Sequence, residues 1–159
     1  MPTDVLPAKI SRILVAVDGS DHAERAAMTA ADLARKYSAL LEILHVASYP
    51  RNMLGIGSAH TVSVGIPMTD SDIDREKKNA IDSMKRIEAF ASRLGIAPKM
   101  EIVESSGSIS DRIIDYAYRE NINLIIAGDL GLNQYQSSLM GSVSTGILSK
   151  ARCSVMIVR

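Results

Sequence analysis

The chain has 159 residues, 47% apolar and 23% charged, with 18 basic side chains balanced by 18 acidic ones. This is the composition of one soluble globular domain with room for a sizeable core, and it argues against a nucleic-acid or acidic-membrane binder, which draws affinity from net or clustered positive charge. The single cysteine, Cys153, excludes an internal disulfide, and three scattered histidines offer no ligand set at zinc spacing.

The N-terminus, MPTDVLPAKISR, lacks the apolar core of a signal peptide, and no apolar run approaches a membrane span, so a cytoplasmic protein is expected. Arg12-Ile-Leu-Val-Ala-Val17 is short, apolar and rich in β-branched residues, and Asp18-Gly19-Ser20 bounds it. It reads as a strand buried on both faces. Asp21-His-Ala-Glu24 then offers a capping box, and Ala23, Ala26, Ala27, Ala30, Leu33, Ala34 and Tyr37 recur at helical spacing, predicting a helix to about residue 37. Leu40–Val46 repeats the strand pattern. Residues 49–69 hold three glycines and two prolines without a clean period, and predict a long, mobile loop.

From about Asp70 a second helical stripe runs through Ile73, Ala80, Ile81, Met84, Ile87, Ala91 and Leu94, ended by Gly95 as a C-cap. Lys99–Glu104 alternates as a strand. Ser108 with Asp111 resembles a further capping box, opening a helix whose buried face is Ile109, Ile113, Ile114, Ala117 and Tyr118. Ile122–Ala127 is a fourth strand, 142–151 a fourth helix and Ser154–Arg159 a fifth strand. Strands alternating with helices imply right-handed crossovers, hence a single α/β domain over 1–159: a doubly wound five-stranded parallel sheet with helices on both faces. Ligands of such sheets bind beyond the carboxyl ends of the strands, where the winding reverses. The loops after the first, second and fourth strands are therefore the places to search.

The loop after the fourth strand, AGDLGLNQYQSSLMGSVSTG, carries Gly128, Gly131 and Gly141 with Ser142 and Ser144. Gly128 and Gly131 can take positive φ and admit a ligand close to the backbone. Gly141-Ser142 opens a helix, where free amides and the dipole give roughly half a positive charge. No lysine or arginine lies between Gly128 and Ser149, so a phosphate would be held by amides and hydroxyls, and a triphosphate would call for a divalent cation, Mg or Mn, bridging its oxygens. From spacing alone, helix capping explains the same residues slightly better than a ligand does. Asp18 has two readings too, a ribose or base contact and a simple turn former with Gly19. No G-x-x-x-x-G-K-[ST] loop is present, and no G-x-G-x-x-G follows the first strand.

Gly128-Asp-Leu-Gly131, nine residues, then Gly141-Ser142 resembles the G-x2-G-x9-G-[S/T] nucleotide-binding motif of the universal stress protein family, in its ATP-binding subclass. ILVAVDGSDHAERA at 13–26, ILHV at 43–46 and CSVMIVR at the end are similar to that family's opening, second and closing strands. The resemblance implies a Rossmann-like sheet of order 3-2-1-4-5. It places Ala16, Val17, Asp18 and Val46 around adenine, with Asp18 also near the ribose; Ala127 and Gly128 flank base and sugar, and Gly131, Gly141, Ser142, Val143 and Ser144 meet phosphates. Two departures stand out. Asp129 adds a carboxylate and the spacer lacks the cations many members carry, so Coulomb repulsion should weaken ATP relative to AMP or ADP, unless Asp129 reaches a bridging metal.

His45 in an apolar strand reads as a core residue with one satisfied nitrogen, His22 and His60 as surface residues, and Cys153 as a small buried residue. The run Asp70–Lys78 reads as a solvated helix start. The last strand ends with four apolar residues and nothing to cover it, which invites pairing with another chain; the resemblance implies a homodimer through 154–159. The resemblance implies a nucleotide-dependent regulatory or stress-protective module, and the residues offer no positioned base or nucleophile that would make it catalytic. A slow ATPase or nucleotidyl-transferring enzyme needing a partner, and a dimeric scaffold that no longer binds nucleotide, are the alternatives.

Overall fold

The computed structural model of the chain describes residues 9–48, 70–131 and 140–159. The expected loop at 49–69, with His60, and the spacer residues 132–139 lie outside the described residues. Five strands, β1 (Arg12–Ala16), β2 (Leu40–Ser48), β3 (Lys99–Ser105), β4 (Leu124–Gly128) and β5 (Ser154–Val158), alternate with four helices, α1 (Asp21–Tyr37), α2 (Asp70–Arg93), α3 (Ile109–Arg119) and α4 (Ser142–Lys150). All strand pairs are parallel, in the order β3-β2-β1-β4-β5, the order expected. Winding reverses between β1 and its neighbour β4. Among the described residues no helix is long and apolar enough to cross a membrane.

The central strands are apolar on both faces because each face is covered. Ile13, Val15, Ile43 and Ile126 pack with α1 and α2, whereas Leu14, Leu44 and Ile125 pack with Ile113 and Ile147 of α3 and α4. Burial of each such side chain stabilises the fold by roughly 1.5–3 kcal/mol. Register between β1 and β4 is fixed at their entry, where Asn123 Oδ1 accepts from Ser11 N (3.0 Å), Ser11 Oγ (2.6 Å) and Arg12 N (2.9 Å).

The α1 face against the sheet is made of alanine: Ala23, Ala26, Ala27, Ala30, Ala31 and Ala34 are all buried. Its cap is Ser20 rather than the expected Asp21, with Oγ accepting from Ala23 N at 3.1 Å. Gly19, at φ +85, sets the turn that aims Ser20. Glu24 is consequently not a capping partner; its carboxylate accepts from Ser83 Oγ and Arg86 and ties α1 to α2. On α3, Ser108 does cap, accepting from Asp111 N, while the Asp111 carboxylate is taken by Lys150. Gly95 closes α2 at φ +76, as expected.

Three expected core positions point outward: Tyr37, Ile81 and Tyr118 are exposed. On α3 the buried face is Ile113, Tyr116 and Ala117, so a residue two positions beyond Tyr116 is carried round to solvent. Tyr116 instead donates its hydroxyl to Glu42 Oε2 at 2.8 Å, and Glu42, buried in β2, pairs with Arg12 at 2.6 Å.

Candidate functional site

At the carboxyl end of the sheet, β1 and β2 part. Val17 N donates to Leu44 O at 2.9 Å, but the registered pairing stops at Ala16 and Leu44, and the Val17 carbonyl accepts from His45 Nδ1 at 2.9 Å. The next ladder bond, Val46 N to Val17 O, is not among the backbone bonds of the described residues. The chain then turns through Asp18, whose Oδ1 accepts from Ser20 N at 3.0 Å.

Across the reversal of winding, β4 ends in Gly128. Neither Gly128 nor Gly131 adopts positive φ, contrary to the expectation; both are glycine for lack of space. A Cβ on Gly128 would stand 2.8 Å from the His22 carbonyl carbon in α1, and one on Gly131 would stand 2.8 Å from Asp18 Oδ2. The base of the loop is pinned at both ends. Ser144 Oγ donates to Gly128 O at 2.6 Å, Gly141 N donates to Asp129 O at 2.7 Å, and Asp129 N donates to Val158 O at 3.0 Å.

These elements surround a cavity of about 290 Å3. Ala16, Val17, Asp18, Val46, Ala127, Gly128, Gly131, Gly141, Ser142, Val143 and Ser144 all line it, so the structure brings every sequence-expected site residue together. Ala23, Leu44, His45, Ile109, Ile113 and Leu130 complete the wall. Apart from His45 their apolar character was readable, but their presence here follows from how α1 and α3 cross the strand ends. A larger hollow, about 620 Å3, lies at the opposite end of the sheet beside Asn123, Arg152 and Cys153. It lacks the converging amides and the strand carboxyl ends that mark a site in this class of fold.

The polar groups divide into committed and available. Gly141 caps α4 with no side chain, so among the described residues the first-turn amides of Ser142, Val143 and Ser144 gain no side-chain cap, and they carry the positive end of the helix dipole. The Ser144 hydroxyl, expected to meet a phosphate, spends its proton on Gly128 O. Asp129 does not line the cavity. Its Oδ1 lies 2.5 Å from His22 Nδ1 and its Oδ2 lies 3.9 Å from Arg159 Nε. The extra carboxylate is thus engaged behind the loop rather than aimed at a ligand, and His22 is its partner rather than a bare surface residue. Burial pushes the Cys153 thiol up, which suits an inert half-buried residue.

Residues 9–159 match the model of the universal stress protein family. Universal stress protein YxiE of Bacillus subtilis is 29% identical over 151 residues, covering 94% of this chain and 99% of that protein. Among solved structures, universal stress protein UspA from Lactobacillus plantarum superposes with a TM-score of 0.73 at 28% identity, over 96% of this chain and 100% of that one. The universal stress protein from Archaeoglobus fulgidus in complex with dAMP superposes with a TM-score of 0.63 at 23% identity, over 95% and 99% of the two chains.

Proposed function

Because the chain belongs to the universal stress protein family, we propose that it is a cytoplasmic, adenine-nucleotide-binding regulatory module, with the cavity between β1 and β4 as its site. ATP, ADP and AMP are the ligands in view. The observation that carries this reading is the convergence on one cavity of an unpaired main-chain edge at Val46 and the uncapped first turn of α4. The N–H and C=O of one extended residue, Val46, face the same way and match the acceptor and amine on the Watson–Crick edge of adenine. Asp18 stands where a ribose hydroxyl can donate to it, and the amides of residues 142–144 suit phosphate oxygens. The cradle also fits: at Gly131 even one methyl group would collide with Asp18.

Mg or Mn, bridging phosphate oxygens, would supply the positive charge that the spacer lacks. The orientation of Asp129 favours a working site over a decayed scaffold, since its carboxylate faces His22 and Arg159 rather than the cavity. The Archaeoglobus neighbour, of the same fold, is described in complex with dAMP. We assign the chain no catalytic residue, and a second copy pairs along the β5 edge. Calorimetric titration with ATP, ADP and AMP in the presence of magnesium tests the reading. Binding in the micromolar range, with nucleotide detected by mass spectrometry in freshly purified protein, is expected; no heat at millimolar nucleotide would reject it.

A further inference from the structure

His45 sits in β2 with 3% of its surface exposed, and its Nε2 is buried without a hydrogen-bond partner. An orphaned polar atom in such a place costs stability that a leucine would not. Its other nitrogen, Nδ1, is 2.9 Å from Val17 O. A carbonyl can only accept, so Nδ1 carries the proton and donates.

The acceptor it takes belongs to the sheet. In a parallel ladder the bond Val17 N–H to Leu44 C=O is followed by Val46 N–H to Val17 C=O. The first is made at 2.9 Å and the second is not made. Peptide groups of residues 44 and 46 point to the same side of β2, toward β1. The Val46 edge is therefore left facing the cavity it lines, while the carbonyl that would have closed on it is held by His45.

We propose that His45 is a positioning residue for base recognition: by donating to Val17 O it stops the β1–β2 ladder one rung early and keeps the Val46 main chain open to an adenine. The proposal rests on the nucleotide reading of the same cavity. A purely structural His45 would matter for stability alone; a positioning His45 matters for which base is preferred.

The test compares the full-length protein with H45L, H45N and H45Q, titrated with ADP and with IDP, and follows amide exchange of Val46 without ligand. Hypoxanthine reverses donor and acceptor on the edge that Val46 would read. Wild-type protein is expected to prefer ADP and to exchange Val46 N–H as an unpaired amide. In H45L the rung closes, Val46 becomes protected, ADP binding weakens roughly tenfold and the ADP-over-IDP preference falls toward one. Asparagine places an amide nitrogen near the position of Nδ1 and is expected to restore both properties. Glutamine reaches the position of Nε2 instead and is not. If H45L retains both the preference and rapid Val46 exchange, the role of His45 is overturned while the nucleotide site stands. Should H45L not fold, the order of H45N and H45Q decides, and a glutamine variant that outperforms asparagine overturns the proposal. Wild-type protein that binds neither nucleotide overturns the site and this inference together.

Discussion

Asp129 and His22 meet at 2.5 Å, Oδ1 to Nδ1, joining the end of β4 to the first turn of α1 from behind the loop. The pair decides what the unusual acid in the glycine motif does. Were its charge felt by phosphates, removing it would tighten binding. With the carboxylate turned away, Asp129→Asn should leave ADP affinity within about threefold, and the loss of a part-buried charge-assisted bond should cost about 1 kcal/mol of stability. Titration and urea unfolding of the same variant measure the two effects. A tenfold gain in affinity would mean that the carboxylate acts on the ligand after all.

The two glycines of the loop should fail differently. At Gly128 a methyl group meets the backbone of His22 at 2.8 and 2.9 Å, and backbone cannot step aside, so Gly128→Ala should destabilise the protein by about 1–3 kcal/mol. At Gly131 the obstacle is the Asp18 carboxylate, 2.8 Å away, which can rotate, but only by leaving the place where it would serve a ribose. Gly131→Ala should therefore keep its unfolding midpoint and lose nucleotide affinity. Equal loss of stability in both variants would contradict the distinction.

How far the sequence leads is visible in these same residues. The apolar runs of β1 and β4 and the glycine spacing were legible because they are local patterns; the family resemblance carried by them named eleven residues, all of which lie in the wall of one cavity. Caps were legible only to within a residue: Ser20 and Asp21 are both good caps, and the left-handed turn at Gly19 chooses between them. The direction of a side chain across the fold was not legible. Asp129 announces its charge, yet its partner lies 107 positions away in α1. His45 was expected to have one satisfied nitrogen, as found, but the missing rung beside it is a relation between two strands that no periodicity reports.

Ser144 closes the loop from the α4 side. Ser144→Ala removes its 2.6 Å bond to Gly128 O and leaves a buried carbonyl short of that donor, a loss of about 1–2 kcal/mol. Nucleotide binding should weaken with it because the loop base loosens, whereas Ser142→Ala, at an exposed hydroxyl, should leave stability unchanged within about 0.5 kcal/mol. Paired denaturation curves distinguish them.

Burial and then the bond to Glu42 push the Tyr116 phenol up to about 12. An unfolded tyrosine ionises near pH 10, so the folded-state value is the higher one. The stability this contributes is complete below about pH 10 and is lost as pH rises toward about 12. Thermal melts across that window should show a falling midpoint, and Tyr116→Phe should flatten the fall. At neutral pH the same variant should cost about 1–3 kcal/mol, because the buried Glu42 carboxylate loses a donor.

Pairing through β5 has a test that spares the fold. Val158 O faces β4, where it accepts from Asp129 N, so Met156 and Ser154 face β4 as well, and the peptide groups of Val155 and Ile157 point outward along the open edge. Val155→Pro removes an outward amide without touching the β4 ladder, a substitution that edge strands tolerate. Size-exclusion chromatography with light scattering should report a dimer for the wild type and a monomer for the variant, with unchanged helical circular dichroism.

Six alanines separate α1 from the sheet, and alanine has no rotamer to adjust. Between helix and strand there is accordingly no cushion: the main chain at His22 rests almost directly on the main chain at Gly128. Enlarging any of those methyls would lever the helix outward as a rigid rod and shift the back wall of the cavity with it, so a substitution in the middle of α1, far from any ligand, would be felt at the base of the glycine loop.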